Sequence, residues 1–192
     1  RLERWGDVLL IRPDPQIIWK GEHKDPRWNQ AHARYQRSSS GGGKWTDDKK
    51  VPPVWKIQWK GLTFRLKTMG FKHTGIFPEQ AVNWQFAMEK IRSANRPPED
   101  PVRVLNLFGY TGAATLACMK AGATVTHVDA SKGMVQWAKE NAQASSLAGR
   151  PVRWLVDDCV KFVQREQRRG RTYDGIIMDP PSYGRGPGAA PA

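Results

Sequence analysis

A chain of 192 residues with 39% apolar side chains is long enough to bury a core, in one large domain or two small ones. No apolar run approaches the roughly eighteen residues a membrane span needs, and Arg1-Leu-Glu-Arg-Trp-Gly6 is no signal peptide, so the cytoplasm is the default location. The 31 Lys and Arg against 18 Asp and Glu leave a net charge of +13, which argues for a polyanionic partner.

The excess is concentrated early. Residues 1–72 hold 16 basic and 7 acidic residues, together with six of the nine tryptophans: Trp5, Trp19, Trp28, Trp45, Trp55 and Trp59. Phosphates attract Lys and Arg while flat rings stack on unpaired bases, so this mixture suits a nucleic-acid surface. The competing reading is a small β domain with Trp in its core and a solvated basic face. Cys118 and Cys159 sit in apolar segments without CxxC or Cys/His spacing, which predicts buried free thiols, no disulfide framework and no metal.

In chain order, Val8-Leu-Leu-Ile-Arg12 and Gln16-Ile-Ile-Trp19 read as short strands around Pro13 and Pro15. A polar segment follows, ending in Ser38-Ser-Ser-Gly-Gly-Gly43; these glycines follow no strand and precede no helix, which predicts a mobile surface loop rather than a phosphate cradle. Trp55–Trp59 and Leu62–Leu66 alternate around Lys60-Gly61 as a hairpin. Residues 1–70 are thus expected to form a small, basic, Trp-rich and mostly antiparallel β region, with residues 71–192 forming a second domain.

Glu79 to Ala94 carries apolar residues at helical spacing after Pro78, and Asn95-Arg-Pro-Pro stops it. Val102 to Leu107 is an apolar strand turning at Gly109 and Gly112 into a helix from Ala113. Three further strands are expected at residues 123–128, 152–156 and 174–178, with helices at 131–145 and from about 159 to 168. Alternation of this kind implies right-handed βαβ units and a parallel sheet.

Asp129, the pair Asp157 and Asp158, and Asp179 each follow an apolar strand directly, so a parallel sheet gathers them at the edge bearing the Gly109–Gly112 turn. Asp129 lies 20 residues after Gly109, the separation at which a carboxylate meets ribose hydroxyls. Any one of these acids alone also reads as a helix cap or a solvated turn residue. The turn has fewer glycines than Gly-x-Gly-x-x-Gly, which favours an adenosine ligand without a diphosphate.

The motifs His73-Thr-Gly-Ile-Phe-Pro-Glu-Gln80, Asn106-Leu-Phe-Gly-Tyr-Thr-Gly112 and Asp179-Pro-Pro-Ser-Tyr183 carry a resemblance. Residues 73–187 resemble the cofactor-binding half of a class I S-adenosylmethionine-dependent methyltransferase, and more narrowly the bacterial group related to large-subunit ribosomal RNA methyltransferases. The resemblance implies an α/β fold with a Rossmann-like parallel sheet, here stopping after its fourth strand, and S-adenosylmethionine as cofactor. It places Phe108, Gly109, Tyr110, Thr111 and Gly112 along the methionine portion, Asp129 on the ribose, and Asp157 and Asp158 facing the adenine. Phe77 and Gln80 would close over the cofactor. Asp179, Pro180 and Pro181 are similar to the motif that positions a target amine, although Ser182 separates them from Tyr183, which would either stack on the base or pack in the turn. The partner implied is RNA, ribosomal RNA first. A non-catalytic RNA-binding protein, and a methyltransferase of protein or small molecules, are the competing readings.

Overall fold

Alternation of inward and outward side chains sets the strands of the first third. The computed structural model describes residues 1–14, 16–17, 24–39, 42–46 and 50–181, and the chain divides into two units, Arg1–Ile76 and Phe77–Ala192.

In the first unit β1 (Leu2–Trp5) turns back antiparallel onto β2 (Val8–Ile11). β3 (Ala33–Arg37) joins β2 in parallel, and β4 (Gly43–Thr46) pairs antiparallel with β3. β5 (Trp55–Trp59) and β6 (Leu62–Leu66) make the expected hairpin, in register from Trp55↔Leu66 to Trp59↔Leu62. Positive φ at both Lys60 (45°) and Gly61 (74°) gives the turn whose twist matches the strands. Leu10, Tyr35, Trp55, Leu62, Phe64 and Leu66 are buried. Glu3 binds Arg12 at 2.6 Å and the Trp5 indole at 2.8 Å, while the Arg12 guanidinium lies 4.8 Å over the Trp5 ring.

Three expectations change here. Gln16 and Ile17 form a turn instead of starting a strand: Asp14 accepts from Gln16 N–H through its carboxylate (3.1 Å) and from Ile17 N–H through its carbonyl (3.2 Å). Ile18 and Trp19 lie outside the described residues. The polar segment contains a 3-10 turn at Pro26–Gln30, capped by the Asp25 side chain, and β3, whose inward positions are Ala33 and Tyr35. The serine and glycine run does follow a strand, β3, and its last residue, Gly43, begins β4; Ser38 N–H donates to the Gly42 carbonyl at 3.2 Å, and Ser40 and Gly41 lie outside the described residues.

The second unit alternates as expected. After a 3-10 turn at Pro78–Gln80 come α1 (Ala81–Ser93), β7 (Arg103–Leu107), α2 (Ala113–Lys120), β8 (Thr124–Asp129), α3 (Lys132–Ala144), β9 (Val152–Val156), α4 (Cys159–Arg168) and β10 (Gly175–Met178). The four strands form one parallel sheet in the order β10-β7-β8-β9. Strand alternation divides its two faces. Leu105, Leu107 and Val128 pack with Cys159 and Phe162 of α4, while Asn106 and His127 point to the face where Thr115 of α2 meets them.

Candidate functional site

Register fixes the geometry of the carboxyl edge. Met178, Leu107, Val128 and Leu155 are paired in succession across the sheet, so the next residue of each strand, Asp179, Phe108, Asp129 and Val156, forms the row above. At the usual strand spacing Asp179 stands roughly 10 Å from Asp129, with the Phe108–Gly112 loop between them. Asp157 and Asp158 follow Val156.

The loop is built under strain and tied at many points. Phe108 (φ 54°) and Tyr110 (φ 50°) adopt the left-handed region that side chains with a Cβ avoid. Gly109 N–H donates to the Val128 carbonyl at 3.0 Å, and Phe108 N–H points to Cys159 Sγ at 3.4 Å. Tyr110 N–H donates to Asp129 Oδ2 at 2.9 Å, while Asp129 Oδ1 accepts from Ser131 N–H at 2.8 Å. Asp129 therefore clamps the loop to the entry of α3. On the far side of the loop Asn141 of α3 donates to the Thr111 carbonyl at 2.9 Å.

Two glycines are required. A Cβ at Gly109 would lie 2.4 Å from His127 Cε1, and Gly112 combines φ 85° with a ghost Cβ 2.8 Å from Ala138 Cβ. His127 is completely buried, its Nδ1 2.9 Å from Thr115 Oγ1, which in turn accepts from Asn106 Nδ2 at 2.8 Å. Among the described residues its Nε2 has no hydrogen-bond partner, and burial lowers its pKa from 6.5 to about 4, so the ring is neutral. This Asn106–Thr115–His127 chain is the floor under Gly109. A histidine inside the apolar run Ala123–Val128, and Asn141 within the buried stripe of α3, are the sequence signals that could have revealed it.

The other predicted residues fall as follows. Phe77 and Tyr110 are tilted ring neighbours, with centroids 5.4 Å apart. Burial, with the Asp129 charge second, pushes the Tyr110 phenol up to about 12, so it keeps its proton. Gln80 Oε1 accepts from Asn83 Nδ2 at 2.7 Å. Asp158 caps α4 by accepting from Lys161 N–H at 2.9 Å, and Asp157 pairs with Arg165. Asp179, Pro180 and Pro181 are exposed at the end of β10, whereas Tyr183 lies outside the described residues. Cys118 and Cys159 are free and buried, as expected; burial pushes the Cys118 thiol up to about 12 and raises Cys159 as well, which keeps both from acting as thiolates. Among the described residues no cluster of His, Cys, Asp or Glu is arranged for a metal, and no helix is long and apolar enough to cross a membrane.

A parallel sheet with a tight turn after its first strand and a carboxylate closing its second defines a Rossmann-like, nucleoside-binding fold. A family model for S-adenosylmethionine-dependent methyltransferases matches residues 23–189. The chain is 43% identical to the S-adenosylmethionine-dependent methyltransferase of Agrobacterium tumefaciens, whose crystal structure superposes with a TM-score of 0.88 over 96% of this chain and 57% of that one. It is 30% identical to the ribosomal RNA large subunit methyltransferase K/L of Shewanella oneidensis over 94% of its length, but spans only 23% of that relative. A Pyrococcus abyssi tRNA (uracil-54, C5)-methyltransferase, 16% identical over 94% of this chain and 41% of its own, shares the fold at a TM-score of 0.51. The chain belongs to the S-adenosylmethionine-dependent methyltransferase family.

The family's cofactor suits the groups present. Each oxygen of Asp129 accepts one backbone N–H, and a carboxylate has lone pairs left for vicinal ribose hydroxyls. The turn at residues 108–112 holds only Gly109 and Gly112, fewer glycines than the three-glycine turn that seats a diphosphate.

Proposed function

We propose that the protein methylates a base in RNA, ribosomal RNA first, using S-adenosylmethionine. The observation that carries this reading is the single row of Asp179, Phe108 and Asp129 along one sheet edge, with the strained, clamped loop between the two acids. Phe108, Gly109, Tyr110, Thr111 and Gly112 line the methionine portion of the cofactor, and Asp129 accepts from the ribose. Asp158 uses one oxygen to cap α4, which leaves the other for the adenine amino group beside Asp157. Phe77, stacked beside Tyr110, covers the site together with Gln80.

Bound S-adenosylmethionine supplies a methyl group on a positively charged sulfur. The protein's part is alignment and exclusion of water. Asp179 accepts a hydrogen bond from an N–H of the target base, holding it toward the loop and stabilising positive charge as it develops. Pro180 and Pro181 hold the turn in one backbone conformation. The Tyr110 phenol keeps its proton and so stands beside the sulfonium as a neutral group.

RNA as substrate is supported by the basic first unit. Lys56 and Arg65 stand directly opposite each other on β5 and β6 and add to the basic charge of this unit. Trp5 and Trp55 belong to the core, and Trp28, Trp45 and Trp59 are half-buried, so charge outweighs stacking in this contact.

The test is Asp179→Asn in the full protein. Methyl incorporation into ribosomal RNA should fall by roughly 10²–10³-fold, the scale of a lost transition-state hydrogen bond, while RNA and cofactor affinities stay within about twofold. Unchanged incorporation refutes the role of Asp179, and incorporation only into protein refutes the substrate.

A further inference from the structure

The opposite, amino-terminal edge of the same sheet carries a second concavity. The end of α1 and the segments entering β7, β8 and β9 enclose about 480 Å³. Three guanidiniums line it, Arg92, Arg96 and Arg150, with apolar surface from Met119, Pro98 and Pro151, and among the described residues no carboxylate is in its wall. Arg96 is paired with Asp100 at 2.8 Å. Among the described residues the exposed guanidiniums of Arg92 and Arg150 have neither an ion pair nor a hydrogen bond.

Helix-end electrostatics explains only part of this. Arg92 lies in the last turn of α1, where a cation offsets the carbonyl end of the helix. Arg150 is not in a helix: it follows a turn closed by its own N–H on the Leu147 carbonyl at 3.0 Å. Like charges converging on one cavity repel each other, and a bound anion relieves that repulsion. Arginine forks match phosphate oxygens two at a time, and the volume falls within the roughly 300–1,000 Å³ of small-ligand sites.

We propose that this cavity binds one nucleotide of a single-stranded RNA segment, its phosphate on Arg92 and Arg150 and its base against Pro98, Pro151 and Met119. The inference rests on the RNA reading above and extends it: the substrate is held at both edges of the sheet, with methyl transfer at one and anchoring at the other. The five residues of β7 separate the edges by roughly 17 Å, a span that a few extended nucleotides cover. A free mononucleotide and an acidic protein segment are the rival occupants.

The test uses the full protein with S-adenosylmethionine, a fluorescein-labelled single-stranded oligoribonucleotide, and the double variant Arg92→Gln/Arg150→Gln. Both side chains are exposed and distant from the cofactor loop, so cofactor affinity serves as the folding control. RNA affinity should drop about tenfold, and the slope of log affinity against log salt should shrink by about 0.7, the value for one lost single-strand phosphate contact. With the unaltered protein, a 4-thiouridine strand should crosslink within residues 91–102, 119–123 or 150–151, the segments that line the cavity. Unchanged affinity and slope, or crosslinks confined to other segments, overturn the site while leaving the RNA reading intact. Competition by adenosine monophosphate without any effect of the variant on RNA overturns it in favour of a mononucleotide. No RNA binding by the unaltered protein overturns both readings.

Discussion

The buried histidine beneath the Phe108–Gly112 loop makes acid stability a direct probe of that corner of the sheet. In the native state His127 is neutral, with a pKa of about 4 against 6.5 in an exposed chain, because its ring is sealed between Gly109, Thr115 and Trp154. Above pH 6.5 both folded and unfolded chains carry a neutral ring, and His127 contributes no pH dependence. Between pH 6.5 and 4 only the unfolded chain takes up the proton, so stability falls with acidification. The loss approaches about 3 kcal/mol by pH 4, at up to about 1.4 kcal/mol per pH unit. His127→Gln removes the titration while keeping an amide that can bond Thr115. Urea unfolding of both proteins at pH 7, 6, 5 and 4.5 isolates the effect, since the other titrating groups are common to both. The variant should be less stable at pH 7 yet lose less on acidification, so the two curves converge. Parallel curves would refute the assignment of a sealed, neutral ring.

Three further outcomes follow from the same contacts. Gly109→Ala forces a methyl group into the His127 ring, where the ghost Cβ lies 2.4 Å from Cε1; about 1–3 kcal/mol of stability should be lost in thermal unfolding, and cofactor affinity with it. Asp129→Ala releases the N–H groups of both Tyr110 and Ser131, so calorimetric titration with S-adenosylmethionine should show binding abolished while the fold persists. Burial alone would raise the pKa of Glu166, but hydrogen bonds from Tyr173 (2.5 Å) and Arg169 outweigh it and leave the carboxyl below 4.5. Its contribution is therefore present above pH 4.5 and lost as pH falls through the folded value. Tyr173→Phe should cost about 1–2 kcal/mol at pH 7 and less near pH 3, measured by urea unfolding.

The sheet was legible because its signals are local. Apolar runs closed by Asp, Gly or Pro marked β7 to β10, and Lys60-Gly61 between two alternating runs marked the β5–β6 hairpin. β3 escaped because only Ala33 and Tyr35 face inward, and Arg34, Gln36 and Arg37 hide a strand of so few buried positions. β1 was missed for the same reason: only Trp5 of its four residues is buried. At the site, the carboxylates could be placed from strand ends, but their partners could not. That Asp158 caps α4 and Asp129 accepts from Tyr110 and Ser131 depends on chain segments brought together by folding. Left-handed Phe108 and Tyr110 leave no trace in residue type, since aromatic side chains do not favour that conformation. The surrounding hydrogen bonds impose it.

The two acids proposed to face cofactor and substrate stand on strands of unequal security. β8 lies between β7 and β9 and is mostly buried, whereas β10 pairs with β7 alone among the described residues. Two of its four residues, Ile176 and Met178, are 62% and 64% exposed. Its start is fastened by Asp174, which exchanges hydrogen bonds with Arg103 at 2.8 and 2.7 Å. Segments with few buried contacts open at a fraction of the global unfolding free energy. Amide exchange at Ile176–Met178 should therefore run ahead of exchange in β7 and β8. Asp179 directly follows this exposed strand, whereas the Phe108–Gly112 loop is tied to buried β8 through Val128 and Asp129, so exchange rates should divide the carboxyl edge into a faster side and a slower one.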